Sequence, residues 1–413
     1  MAVSMQNTKN QHYIPRFYMK WFADVKNVGT KKEKTLISFF QPDDSLCKDR
    51  VPTESVCSEK YFYDDDGRIE RMLSDKEREW AKILIKINNC EDVTEDEINV
   101  LREFVVFQII RTKAMCDHAQ EMATTMLTKG LYNQSTNLEE DVIRGMVEDK
   151  VKVELTPEFN LELAQEILSS ITDLELRIVD NRTDIAFITS DAPVIVVNPF
   201  GVHQAGLENI GIVIAFPVSR NKIVILYDSK LYGKINDNIV DHNCVDALNK
   251  YQYLSADERI LAFSSDEFDK IRQDDKLKKL REIIMQDNKV ATSHENKGTL
   301  IVARSRSMEY YFDITLFKLP RQLRRIPENF RETFPRQYNK ETRIAILCRI
   351  YRGPDFYEDE DKKKWWSECQ KYAKKILNYL DYYWETPSED CSISADLMHK
   401  LKTVPVNTHL LEK

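Results

Sequence analysis

IGIVIAFPVSRNKIVILY, residues 210–227, holds two runs rich in β-branched and aromatic side chains separated by the polar Ser219, Arg220, Asn221 and Lys222. Runs of this length and composition suit a pleated, half-buried surface, so both read as strands. Working outward, LELRIVD (174–180), IAFITS (185–190), PVIVV (193–197) and RILAFSS (259–265) carry the same signal. TLIVARS (299–305) and YFDITLF (311–317) are expected to pair as a closing hairpin. Upstream the period changes. Ile69, Leu73, Trp80, Ile83, Leu84 and Ile87 mark a helix from Gly67 to about Asn89. Thr94 and Glu97 form a capping box that opens a long helix, expected to reach about Thr128. Further helices are expected near 138–152, 158–171 and Val240–Tyr253, with extended pieces at 34–42 and in KYFYD (60–64). Helices first and strands later is the α+β pattern. The expected fold is therefore α+β, a helical N-terminal half packed on a mostly antiparallel sheet, with a C-terminal helical appendage.

A core is expected over 1–317, its helical part about 67–172 and its sheet part about 173–317. Residues 318–413 read as a basic connector plus a C-terminal helix. That helix follows RIAILCRIY (343–351) and DFYEDED, and ends before Pro387. It places Trp366, Cys369, Ala373, Ile376, Leu380 and Tyr383 on one face, a packing or homo-oligomer element.

Composition narrows the chemistry. An apolar share of 42% supports a real core and excludes global disorder. With 10 glycines in 413 residues and no G-x-G-x-x-G or G-x-x-x-x-G-K-[ST], Rossmann and P-loop nucleotide sites are excluded. No apolar run approaches the roughly 18 residues that span a bilayer, and MAVSMQNTKNQ has no signal-like segment, so a cytoplasmic protein without membrane contact is expected. Eight cysteines without a C-x-x-C pair read as free thiols, not a zinc site. The net charge of −8 does not advertise a polyanion partner. Lys318–Arg343 departs from it, with eight basic residues against three glutamates and Phe330, Phe334 and Tyr338 interleaved. Two readings stand: a nucleic-acid contact, or a connector tied down by arginine pairs.

Four stretches carry the candidate site residues. In QHYIPRFYMKWF (11–22), Pro15 suits the first turn of a helix, and His12 and Tyr13 precede it. His12 is either a satisfied structural histidine or a general acid/base. In FVVFQIIRT (104–112), Gln108 interrupts a run that is apolar on every side, and Arg111 follows three residues on. Both need polar partners, so they point to an anion: a carboxylate of this chain, with Glu70 and Glu77 available, or a ligand phosphate. In FITSDAPV (187–194), Ser190 and Asp191 sit at a strand exit, which suits either a reachable carboxylate or an ordinary Asx turn. In RTKAMCDH (111–118), Arg111 and His118 have an R-x(4–6)-H spacing.

Taken in order, HYIPRFYMKWF, YFYDDDGRIE, QIIRT and FITSDAPV resemble the bacterial and archaeal domain-of-unknown-function family 4238, over about residues 10–265. Two positions depart from its pattern: Trp21 and Ala192 stand where asparagine is usual. The resemblance implies that His12, Gln108, Arg111 and Asp191 converge, but it implies no established reaction. Such a cluster fits phosphodiester hydrolysis better than redox chemistry. His12 would act as base and Arg111 would meet phosphate, while Asp191 and Glu77 would hold Mg²⁺ or Mn²⁺; Gln108, Ser190 and Tyr13 would contact ligand. The first expectation is thus a nuclease-like hydrolase, of the kind met among antiviral defence effectors. The alternatives are a non-catalytic sensor or binding module for an anionic ligand, a metal-independent ribonuclease resembling the HEPN type through Arg111 and His118, and a purely structural ion-pair network. Thr112 stands where the HEPN pattern has asparagine.

Overall fold

The computed structural model describes residues 10–63, 67–134, 139–150, 157–200, 206–287, 291–295, 298–302 and 310–318, with Met308, Arg336 and scattered positions over 359–371. The architecture is α+β, with one parallel strand pair among otherwise antiparallel ones in the described residues.

The helical half begins with Arg68–Asn88, entered through Gly67 at φ +70°, a conformation that favours glycine. The next helix, Glu95–Ile110, starts at the expected capping box, and Glu95, Asp96 and Glu97 place negative charge at the positive end of its dipole. Phe104, Val105, Val106, Phe107, Gln108 and Ile110 are all buried, as a run apolar on every side requires. The expected single helix to Thr128 is instead two, Glu95–Ile110 and Lys113–Gln134. Arg111 and Thr112 interrupt it. The Thr112 hydroxyl accepts the Met115 N–H at 3.3 Å and caps a new helix, while the Tyr63 hydroxyl meets the Arg111 carbonyl at 3.4 Å. Helices Glu140–Glu148 and Pro157–Ser169 complete this half.

Among the described residues the strands form two five-stranded sheets and two two-stranded pairs, not one sheet. One is ordered Asn238–Ile239, Glu175–Asn181, Lys222–Tyr227, Val213–Ser219, Ile195–Val197, so the two runs of 210–227 are adjacent antiparallel strands. The other exists because Lys34–Gln41 pairs with Ile260–Ala262, drawing the N-terminal strands away from the first. Two strand expectations are corrected. Of 185–190 only Thr189–Ser190 is strand, because the Asn249 amide takes the Ile188 N–H (3.1 Å) and the Ala186 carbonyl (2.9 Å) in place of a ladder. Gly298–Val302 pairs with Ala291–Glu295, not with 311–317, which is turn and coil anchored through the Tyr251 hydroxyl to Phe312.

An N-terminal plug joins helices to sheet. A one-turn helix, Arg16–Met19, begins just after Pro15. The buried Tyr18 hydroxyl donates to the Pro217 carbonyl at 2.7 Å and lies 2.6 Å from Thr189 Oγ1. Its ring stacks on Phe216 at 5.1 Å and meets Phe104 edge-on at 6.2 Å. Such pairs add about 0.5–1.5 kcal/mol each beyond area burial.

Within Lys318–Arg343 only Lys318 and Arg336 are described. Arg336 is buried and spends its guanidinium on Asp173 at 2.9 and 3.0 Å and on the carbonyls of Ser170, Leu207 and Asn209. That residue is a tie. RIAILCRIY (343–351) and most of the C-terminal helix expected after it lie outside the described residues. Among the described residues no helix is long and apolar enough to cross a membrane.

Candidate functional site

Arg111 caps the Glu95–Ile110 helix with its side chain 3% exposed. All three guanidinium nitrogens are used: Nη1 donates to Glu77 at 2.8 Å, Nη2 to the His12 carbonyl at 2.8 Å, and Nε to the Tyr63 hydroxyl at 3.2 Å. Of the two glutamates offered by the Arg68–Asn88 helix, Glu77 therefore takes it. Burial alone would lower the Arg111 pKa, but Tyr63 and Glu77 more than reverse this and hold it charged.

The N-terminal segment meets these partners through backbone as well as side chain. His12 is half-buried and its Nε2 lies 3.3 Å from the Thr53 carbonyl, while its own carbonyl accepts from Arg111. Burial lowers the His12 pKa, with Arg16 and Arg111 acting in the same sense, so the ring is neutral near pH 7. Tyr13 is buried; its N–H donates to the Cys57 carbonyl at 3.1 Å, and its hydroxyl is raised by burial and by the nearby Cys57 and Asp191. Alternation along an extended chain explains the split: His12 turns one way and Tyr13 the other, toward Asp191.

Asp191 is 2% exposed. Its Oδ1 accepts the Asp257 N–H at 2.9 Å, and Oδ2 accepts those of Glu258 and Arg259 at 2.7 and 2.9 Å. Burial pushes its carboxyl up to about 6, with Asp257 adding to the shift and the three amides opposing it. Ser190 is fully buried; its Oγ accepts the Ala192 N–H and the Gln252 side-chain amide. The expected convergence is thus pairwise: Arg111 with the His12 backbone, and Tyr13 with Asp191. His12, Arg111 and Asp191 do not present their reactive groups to one cavity.

Gln108 does reach a cavity. It lines a space of about 590 Å³ with Ile109, Thr112, Ala192, Val194, Leu254 and others. Its side chain is 0% exposed, and neither amide end has a partner among the described residues. An unpaired buried polar group costs about 1–3 kcal/mol, so this one is out of place in a finished core. The Lys113–Gln134 helix adds Asp117, His118 and Glu121 to the lining, Glu121 already accepting from Arg144 Nη2 at 2.9 and 2.8 Å, and the loop after His242–Ser255 supplies Asp257. Asp117 sits at the exposed rim, yet desolvation raises its carboxyl, and the like charge of Asp257 adds to this. Asp257 is fixed from two sides, its N–H by Asp191 and its carbonyl by Arg281 Nη2 at 2.6 Å. Asp191 is therefore a clasp behind one wall of the cavity.

The spacing that joins Arg111 to His118 does not bring them to one place. The helix break turns Arg111 to Glu77 and leaves His118 lining the cavity. The two carboxylates expected to hold a metal are likewise separated in purpose, Asp191 saturated by amides and Glu77 paired with Arg111. Among the described residues there is no group of three His, Cys, Asp or Glu side chains arranged to hold a metal ion. Sequence reading missed Asp117, Glu121 and Asp257. Only the four-residue spacing of Asp117 and Glu121, beside the misfit Gln108, hinted at them.

A family model described as "Protein of unknown function (DUF4238)" matches residues 10–267, which include most of the cavity wall from Gln108 to Asp257. Ala192, one of the two departures from the usual family pattern, lines the cavity. No curated protein and no solved structure matches the chain.

Proposed function

The chain belongs to the DUF4238 family of proteins of unknown function, and we propose that this member is a binding module for a small, uncharged or cationic organic ligand. The observation that carries the reading is Gln108, a buried amide with both ends unpartnered among the described residues, on the wall of a cavity of ligand size. Asp117 and Asp257 add carboxylates to that wall, and Glu121 does so with its charge balanced by Arg144, which favours a cationic or hydroxyl-bearing ligand over the anion first expected. Phosphodiester hydrolysis has weaker support, because Arg111 and Asp191 are each already engaged by three hydrogen bonds within the protein.

The test is a thermal-shift screen of the full chain against small metabolites, with hits confirmed by calorimetry. Stabilising ligands of zero or positive charge are expected, and both Gln108→Met and the cavity-filling Ala192→Trp should abolish their effect. A screen without hits, or hits indifferent to both substitutions, would contradict the reading. So would Mg²⁺- or Mn²⁺-dependent cleavage of DNA or RNA that is lost in a folded Asp191→Ala protein.

A further inference from the structure

We propose that the outer edge of the Glu175–Asn181 strand binds an extended peptide of alternating apolar and basic side chains, at a site apart from the Gln108 cavity. On its inner side this strand pairs with Lys222–Tyr227 along residues 175–180. On its outer side the only strand beside it among the described residues is Asn238–Ile239, which reaches just its last two positions. There the Asp180 N–H donates outward to the Asp237 carbonyl at 2.9 Å, while the Asn181 N–H donates inward to Asn221 at 2.8 Å. Main-chain groups alternate in this way along a strand, so Leu176 and Ile178 share the outward direction of Asp180. Just before the strand, Arg102 Nη1 takes the Leu174 carbonyl at 2.7 Å and closes the other end. Between these two closures the described residues offer no partner to the outward N–H and carbonyl groups of Leu176 and Ile178. An open stretch of strand edge is a template for another extended chain.

The surroundings of the edge say which chain fits. It runs along a groove of about 460 Å³ whose opposite wall is the turn between the Arg68–Asn88 and Glu95–Ile110 helices. Ile87, Val93 and Ile98 line the groove together with Leu176 and the half-buried Ile178, an apolar bed for every second side chain of an added strand. The charges set the sign of the rest. Arg177 is paired with Glu175 at 2.6 Å, and Arg182 and Lys222 are both paired with Asp180. Glu91 and Asp92 on the opposite wall are exposed, and among the described residues neither has a cation beside it. They complement a lysine or arginine and oppose an acidic peptide.

Hydrogen exchange of the full chain, resolved to single amides, reads the edge directly. Without peptide, Leu176 and Ile178 should exchange roughly tenfold faster or more than Arg177 and Val179, which donate into the sheet. A capped hexapeptide of alternating lysine and valine should slow the two outer amides, and its glutamate–valine counterpart should not. Ile178→Pro removes one outward N–H and no ladder bond, a change that a strand edge tolerates. It should weaken binding of the lysine–valine peptide, read by fluorescence anisotropy, by roughly tenfold. Asp92→Lys lies on an exposed turn; it should weaken the same peptide by roughly threefold or more and leave the unfolding midpoint unchanged. Outer amides already protected in dilute protein overturn the proposal, because a segment of this chain then covers the edge. Protection that grows with protein concentration overturns it in favour of a second copy. It also falls if neither peptide protects the edge, if the glutamate–valine peptide binds as tightly, or if both substitutions leave the affinity unchanged.

Discussion

The guanidinium of Arg111 donates to the main-chain carbonyl of His12 at 2.8 Å, linking the end of a buried helix to an N-terminal strand 99 residues away. Glu77 balances the charge from a third element. Removing one partner of a buried pair strands the other, so Arg111→Met should lower unfolding stability by about 3–5 kcal/mol. Arg111→Lys should recover only part of this, since one ammonium cannot span three acceptors in a plane. Urea unfolding measures both. A loss under about 1 kcal/mol for Arg111→Met would show that the contact is not structural.

Asp191 holds the Asp257–Arg259 loop through three amide donors. In Asp191→Asn the new NH₂ group faces N–H groups, donor against donor. A loss of about 2–4 kcal/mol is expected, together with faster hydrogen exchange at the 257–259 amides. Unchanged exchange there would mean the loop is held by other contacts.

The same carboxyl sets a pH dependence. Its folded value is raised to about 6, against about 3.9 in an unfolded chain. Between those values the native state carries a proton that the unfolded state lacks. The contribution is therefore complete below about pH 4 and is lost as pH rises through 6, by roughly 3 kcal/mol in all. The unfolding free energy of wild type relative to Asp191→Asn, measured from pH 4.5 to 7, should fall across that window. A flat or rising difference would contradict the assignment.

Arg336 is spent on Asp173 and three carbonyls. Arg336→Ala should lower stability by about 3 kcal/mol. It should leave any RNA affinity, read by filter binding at fixed salt, unchanged. A drop in RNA affinity without a drop in stability would restore this arginine to a nucleic-acid surface.

Much of the fold was legible because local signals were strong. Thr94 and Glu97 announce a helix start, and 210–227 announces adjacent strands. Local signals failed where distant partners decide. Nothing near Ile188 shows that Asn249 will take its N–H, and nothing near Ser38 shows that Lys34–Gln41 will leave for Ile260–Ala262. Gln108 was visible as a misfit in an apolar run. What it faces was not, because Asp257, Ile284 and Met308 reach it only through tertiary packing. Arg111 shows the reverse error: its spacing to Gln108 suggested a shared ligand, and the helix break at Thr112 separates their roles.

The most direct measurement is the unfolding free energy of Gln108→Met against wild type, without ligand. Methionine has a similar shape, favours a helix and has no amide to leave unpaired. If the amide is kept for a ligand, the substitution should stabilise the protein by about 1–2 kcal/mol while ligand-induced stabilisation disappears. A variant less stable than wild type would mean that Gln108 is already satisfied by the protein, leaving the cavity without its reader.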